Sequence, residues 1–240
     1  MPTTDLHFEL GRWLQSPVGQ QLEARLLAVL PNLSQAWPGI NHLQVDLEKA
    51  LPVKRNVRQM SYAELFSSSE YSPLPGGSLD SLTLMYSLDV AREPHRVLHM
   101  ADQWLAGSGY LVIVGFNPYS LWGLLRWVMR WFQTTPWKAG FYSVHRIRDW
   151  LKVLNYDIHY HTSFGHTPPL ERVYQSRLCR PYERFMSWLL PRMGAVNIIV
   201  AKRPLYPMTP TRQRLTHLEK PVAGAVAGPT RNWHDKKRHD

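Results

Sequence analysis

Apolar residues in the first quarter of the chain follow first a helical and then a strand period. Leu22, Leu26 and Leu30 recur every four residues, which predicts an amphipathic helix over residues 18–30. Residues 42–47 alternate apolar and polar side chains, which predicts a short strand after a loop over residues 31–39. Residues 52–58, which follow the predicted strand, show no decisive period.

From residue 79 onward, apolar runs of strand length alternate with helical patterns. The run over 110–116 is apolar throughout, as in strands that are buried on both faces of a parallel sheet. A helix that opens at Pro94 is expected to end at the glycines 107–109, through a left-handed cap. Other strands are predicted over 79–88, 156–160 and 195–201, and other helices over 121–132 and 145–154. This alternation predicts an α/β fold: a doubly wound, mostly parallel sheet.

Composition narrows the class of protein. The chain has 240 residues, of which 44% are hydrophobic, as in an ordinary globular domain. A single cysteine, Cys179, excludes an internal disulfide framework and a cysteine zinc cluster. The first residues lack the basic and apolar regions of a signal peptide, and no uncharged apolar run reaches the length of a membrane span. We therefore expect a cytoplasmic protein without a transmembrane segment.

Charge is concentrated at the carboxyl end. Residues 202–240 hold nine basic against three acidic residues, which is +6 of the total net charge of +10. Five prolines and two Ala-Gly stretches interrupt this segment, and it has no apolar period that could form a core. We predict a domain over residues 1–203 and a disordered basic tail over 204–240. The tail is a candidate for weak contact with a polyanion such as RNA.

The helix predicted over 121–132 is apolar nearly all round. Gly123, Arg126 and Arg130 form its one polar stripe. Such a helix needs a partner on both sides. The second partner is either another packed element, such as residues 186–190, or an apolar substrate or membrane surface.

Several motifs after residue 74 resemble the class I S-adenosylmethionine-dependent methyltransferases of the type 11 kind. These motifs are Leu74-Pro75 before Asp80, the helix start over 93–98, and the glycine turn that leads into the strand over 107–113. The stretches 13–17, 115–123 and 141–151 are similar to the YafS-like group of that family. The resemblance covers roughly residues 13–202.

The resemblance implies a Rossmann-like fold, S-adenosylmethionine as cofactor, and methyl transfer to an acceptor that the sequence does not name. It implies a cofactor site at the ends of the central strands, with Asp46, Tyr86, Ser87 and Asn117 as binding residues and Asp89 nearby. In-line transfer from a sulfonium needs orientation more than a dedicated base, so no catalytic residue is assigned.

One departure from the family bears directly on the cofactor. The family has a glycine-rich turn after its first strand, yet no glycine lies between Gly39 and Gly76. Either residues 42–47 are the first strand and the loop is degenerate, or they are the second strand. In the second case Asp46 would end strand two and accept hydrogen bonds from the ribose. Loss of the glycines leaves an alternative function open: a catalytically inactive binding or scaffold protein.

Three histidines raise the question of a metal. His159, His161 and His166 have no carboxylate or cysteine at a known ligand spacing, so we expect no metal site. No Ser-His-Asp context, Walker loop or paired-carboxylate motif is present either.

Overall fold

The computed structural model describes residues 4–34, 39–47, 57–67, 74–129, 131, 136–169, 176 and 179–204. The helices are α1 (Thr4–Leu14), α2 (Pro17–Ser34), α3 (Tyr62–Ser67), α4 (Ser87–Val90), α5 (Pro94–Trp104), α6 (Leu121–Met129), α7 (Val144–Val153) and α8 (Cys179–Leu189). The strands are β1 (His42–Asp46), β2 (Val57–Ser61), β3 (Leu79–Met85), β4 (Leu105–Phe116), β5 (Asp157–Phe164) and β6 (Val196–Lys202). The predicted α/β class is confirmed.

The described strands form one sheet in the order β2-β1-β3-β4-β6-β5. The first four strands of that order are parallel, and β6 runs antiparallel to both of its neighbours. All five residues of β1 are buried, because strands pair with it on both edges and helices cover both faces. The sheet is therefore doubly wound and mostly parallel, as predicted.

The pleat of β4 divides the core into two layers. Val112, Val114 and Phe116 point to one face, where they join leucines of α1 and α2. Leu111 and Ile113 point to the other face, where α5 and α7 pack. This alternation is what period-two geometry requires of a strand between two helical layers.

Three elements depart from the sequence-based prediction. Gly107 and Gly109 do not cap a helix, because β4 begins at Leu105 directly after α5 and neither glycine has a positive φ. The strand predicted over 79–88 ends at Met85 and turns into α4. Residues 57–61, which begin inside the stretch 52–58 that showed no decisive period and were not predicted as a strand, form β2, because pairing with β1 stabilises a sequence with little intrinsic preference.

The position of β1 decides between the two registers. β1 pairs with β3 on one edge and with β2 on the other. In the strand count of the family, β3 of this chain takes the fourth place, because it holds Asp80. Only the family's first strand lies between its second and its fourth strand. Residues 42–46 are therefore the first strand, and the second register is wrong.

No helix of the described chain is long and apolar enough to cross a membrane. The tail predicted over 204–240 lies outside the described residues, apart from Pro204.

Candidate cofactor crevice at the ends of the central strands

The crevice of interest lies where the chain reverses its direction of winding. β1 leads outward to β2, whereas β3 leads to the other half of the sheet, so the carboxyl ends of β1 and β3 flank a topological switch point. Ligands of doubly wound sheets bind in the crevice at such a point. Asp46 is the last residue of β1, and Tyr86 directly follows β3.

The carboxyl group of Asp46 is buried and has a strongly raised pKa. Its side chain is 2% exposed, and both carboxylate oxygens accept hydrogen bonds of 3.0 Å from Nε2 of Gln44. Burial raises the pKa of Asp46 to about 7, against the lowering effect of the Gln44 hydrogen bond. A carboxyl group held near its titration point is typical of a binding or catalytic site.

A second carboxylate reaches the crevice from the helical layer. Glu23 of α2 adds to the raised pKa of Asp46 through charge repulsion, and its own pKa is raised by burial. It acts in the same way on Tyr86, whose pKa lies well above its ordinary value, chiefly through burial. The charge of Glu23 therefore acts on both Asp46 and Tyr86.

Tyr86 is held in an uncommon backbone conformation. Its φ of 53° and ψ of 9° place it in the left-handed region, which costs energy for a side chain of this size. Its amide donates to the carbonyl of Val114, and its ring packs 5.0 Å from that of Phe116. The buried hydroxyl has no hydrogen-bond partner among the described residues. A buried polar atom without a partner can form a hydrogen bond with a ligand.

Ser87 and Asp89 are buried and engaged within the protein. The hydroxyl of Ser87 donates to the carbonyls of Val45 and Met85, at 3.4 and 3.3 Å, and so ties α4 to the ends of β1 and β3. The carboxylate of Asp89 accepts from the amide of Phe116 at 2.8 Å. Burial raises the pKa of Asp89 well above its ordinary range. Both residues therefore stabilise the segment that follows β3, and a direct role of Ser87 in binding stays a prediction.

Asn117 follows β4 and secures a loop. Its Nδ2 donates to the carbonyls of Arg192 and Gly194, at 3.0 and 2.9 Å, and its Oδ1 accepts from the amide of Tyr119. These contacts join the end of β4 to the turn before β6. The side chain holds that turn, and cofactor binding by Asn117 stays a prediction.

Sequence reasoning did not identify Glu23 or Gln44. Glu23 follows Leu22 in the helical pattern and therefore borders the buried stripe of α2, a signal that the sequence does contain. Gln44 is a polar residue at an interior position of a short apolar strand. Only the pairing of β1 with two neighbours shows that this side chain is buried.

Three histidines bear on the prediction that the protein has no metal site. His159 and His161 lie on β5, whereas His166 lies beyond that strand, where its Nε2 contacts the carbonyl of Leu190. Over the part of the chain that the structure describes, no group of histidine, cysteine and acidic side chains could hold a metal ion.

Comparison with known proteins agrees with the fold. No family model matches the chain. The chain is 32% identical over 161 residues to the uncharacterized protein YafS of Escherichia coli, and the match takes in 66% of this chain and 62% of YafS. The similarity to the YafS-like group is thereby confirmed.

Two solved structures share the architecture. A SAM-dependent methyltransferase from Thermotoga maritima has a TM-score of 0.50 at 14% identity, over 74% of this chain and 89% of that one. A chain from the complex between the Haloferax volcanii Trm112 methyltransferase activator and a methyltransferase also has a TM-score of 0.50, at 12% identity, over 82% of this chain and 98% of that one. The chain has the Rossmann-like fold of the class I methyltransferases.

Proposed function

We propose that this chain binds S-adenosylmethionine in the crevice between β1 and β3 and transfers its methyl group to an acceptor. The observation that carries the proposal is the set formed by the buried Asp46, the buried hydroxyl of Tyr86 and the partly buried Glu23 at the switch point of a methyltransferase fold.

These residues suit a cationic ligand. S-adenosylmethionine carries a sulfonium and an ammonium group, and the buried carboxylate of Asp46 with the partly buried carboxylate of Glu23 favours positive charge. Among the described residues, no basic side chain counteracts the rise in the pKa of Asp46 or of Glu23. A cation bound beside them would lower both values, and the accompanying gain in free energy would favour binding. Tyr86 offers a hydroxyl that a polar group of the ligand can engage.

The protein's part in the reaction is orientation. When bound, the cofactor supplies an electrophilic methyl group to a nucleophile aligned behind it. Asp46 and Glu23 hold the charged end, and the backbone of Tyr86, fixed by Val114 and by packing on Phe116, sets one wall. Such alignment alone accounts for a large part of the rate of a two-substrate transfer.

The residues after β1 limit the affinity. Asp46 is followed by Leu47, Glu48, Lys49 and Ala50, so the chain lacks the glycines that allow close backbone approach. Residues 48–56 lie outside the described residues. We expect weaker binding than in an enzyme with an intact glycine loop, because a misplacement of about 1 Å can cost on the order of a hundredfold in rate.

Isothermal titration with S-adenosylmethionine tests the proposal. The wild-type chain should bind the cofactor, and Asp46→Asn should abolish binding, because the amide keeps the shape but not the charge. Asp157→Asn, at an exposed position on β5, is the matched control and should bind as the wild type does.

Two results would overturn the proposal. The first is no heat and no thermal shift with the wild type at millimolar cofactor, which would favour an inactive binding or scaffold role. The second is unchanged binding by Asp46→Asn, which would place the cofactor elsewhere.

We also propose that the tail over 204–240 contacts polyanions and that the protein is cytoplasmic. The support for both is compositional: the basic excess of the tail and the low cysteine content. Salt-sensitive retention of RNA by the full chain, lost when the basic residues of the tail are replaced by glutamine, would support the first.

A further inference from the structure

One face of the molecule carries exposed aromatic residues on two helices. On α6, Leu124 and Trp127 are 68% and 79% exposed, and Trp131, two residues beyond the helix, is 87% exposed. Leu124 and Trp127 are three residues apart and therefore lie on one side of the helix. The helix predicted to need two partners thus leaves large apolar side chains exposed.

The helix α8 also carries exposed apolar residues: Phe185, Trp188 and Leu189 are 54%, 77% and 50% exposed. Between α6 and α8 lies an apolar groove of about 600 Å³, whose walls include Leu124 and Trp127 on one side and Met186 on the other. We call this groove, together with the exposed apolar residues of the two helices and Trp131, the tryptophan face.

The charges around this face are positive. The one acidic residue of α8, Glu183, is turned inward to Arg25 and to the amides of Gly165 and His166. Arg184 and Arg192, in contrast, are exposed.

The polar stripe predicted for α6 does not supply this charge. Arg126 donates to the carbonyl of Trp137 and lies 4.7 Å from the ring of Phe141, so it points into the protein. The side chain of Arg130 lies outside the described residues.

A basic pocket of about 460 Å³ borders the tryptophan face. Its walls include His145, Arg148, His159, His161 and Arg192, and no carboxylate lines it among the described residues. The pKa of His161 lies below its ordinary value, first because the ring is buried and also because Arg192 and Arg148 repel a proton there. Nothing on these walls neutralises the two guanidinium groups, so the pocket suits an anion.

The two features are neighbours. Tyr119 lines both the apolar groove and the basic pocket, and the consecutive residues Arg192 and Met193 line one each. An apolar surface beside an anion site is the arrangement that an amphiphile with an anionic head requires.

We propose that the tryptophan face docks on a bilayer of anionic phospholipids, with Trp127 and Trp188 in the interfacial layer and a lipid phosphate in the pocket of Arg148 and Arg192. Tryptophan is enriched at membrane–water interfaces, where its ring is buried and its N–H stays hydrated. A second copy of this chain, related by a two-fold axis, would instead bring two positive pockets together. The positive charge therefore selects the anionic surface as occupant.

Co-sedimentation of the full chain with vesicles tests this proposal. We expect binding to vesicles of phosphatidylcholine with about 30% phosphatidylglycerol, and much weaker binding to phosphatidylcholine alone. The double variant Trp127→Ser/Trp188→Ser should bind at least about tenfold more weakly to both, because it loses most of the inserted apolar area. Both residues are highly exposed, so the fold should be retained.

A second double variant separates charge from insertion. Arg148→Gln/Arg192→Gln should weaken binding to the anionic vesicles by about thirtyfold and leave the weak binding to neutral vesicles unchanged. The control Ile40→Ser/Arg96→Gln replaces an exposed apolar and an exposed basic residue elsewhere and should bind as the wild type does.

Three outcomes would overturn the proposal. One is that the wild type does not sediment with anionic vesicles. Another is that the tryptophan variant binds as well as the wild type, which would assign the binding to the basic tail that all variants retain. The third is a wild-type dimer in light scattering that becomes a monomer in the tryptophan variant, which would make a second copy the occupant.

Discussion

Two carboxyl groups that lose solvent in this protein, those of Asp46 and Glu183, have pKa values shifted in opposite directions. Asp46, at the end of β1, receives hydrogen bonds only from Gln44 among the described residues, and burial raises its pKa to about 7. Glu183 of α8 is also partly buried, which by itself would raise its pKa. The nearby His166 side chain, hydrogen bonds from the Thr167 hydroxyl and the His166 amide, and the Arg25 charge instead lower it to about 2.

The difference separates a structural site from a binding site. Glu183 joins α2, α8 and the loop after β5, and its charged form stabilises the fold. Asp46 is charged at a cost to the fold that the hydrogen bonds from Gln44 offset only in part. A residue that destabilises the folded protein in this way is typical of a ligand-binding site.

The largest expected effect is at Asp46. Its folded pKa is raised above the unfolded value of 3.8, so the folded state is penalised as pH rises from about 4 to about 7 and the penalty then levels off. Asp46→Asn removes this penalty. We expect the free energy of unfolding at about pH 8 to increase by up to about 4 kcal/mol, measured by urea denaturation, while cofactor binding is lost.

The pH dependence is the sharper part of that prediction. The difference between Asp46→Asn and the wild type should shrink as pH falls toward 4, whereas the exposed control Asp157→Asn should show no such trend. A variant that is less stable than the wild type at neutral pH would mean that Asp46 has a stabilising partner, and the contrast with Glu183 would fail.

Glu183→Gln should have the opposite sign. The folded pKa of Glu183 is below the unfolded value of 4.5, so its stabilisation is present above that value and is lost as pH falls toward 2. We expect the variant to lose about 3 kcal/mol of stability at neutral pH and to approach the wild type in acid. Glu9→Gln, which breaks the exposed pair with Lys138, should cost less than about 1 kcal/mol. Equal losses in the two variants would contradict the structural role of Glu183.

The smallest expected effect on stability is that of replacing Tyr86. Its hydroxyl is buried without a described partner, so Tyr86→Phe should leave stability unchanged or raise it by about 1 kcal/mol, as seen in thermal unfolding. The same variant should bind S-adenosylmethionine more weakly. A clear loss of stability would show that the hydroxyl has a partner within the protein, and Tyr86 would then resemble Glu183 rather than Asp46.

The sequence contained the framework of the fold. The apolar run of β4, the helical spacing of α2 and the motifs around Asp80 and Pro94 predict a doubly wound sheet, because burial on two faces requires those patterns. They did not predict β2, whose residues Val57–Ser61 are mostly polar and become a strand only through pairing with β1.

The crevice could be predicted in part. Asp46 and Tyr86 follow from the resemblance, because each ends a strand whose place in the family is known. Glu23 could not be assigned to the same crevice, since it is separated from Asp46 by a loop and comes near it only when α2 packs on the sheet. The pKa values are also invisible in the sequence, because they depend on how much solvent each carboxylate loses and on which donors surround it.

The sequence by itself therefore determined the local elements and the class of fold, since hydrophobic period and turn residues act over a few positions. Tertiary structure decided that β1 is the first strand, that Asp46 and Glu183 have opposite pKa shifts, and that Trp127 of α6 and Trp188 of α8 are exposed. These properties depend on contacts between residues far apart in the chain, where charge, burial and packing are set by neighbours that no local pattern identifies.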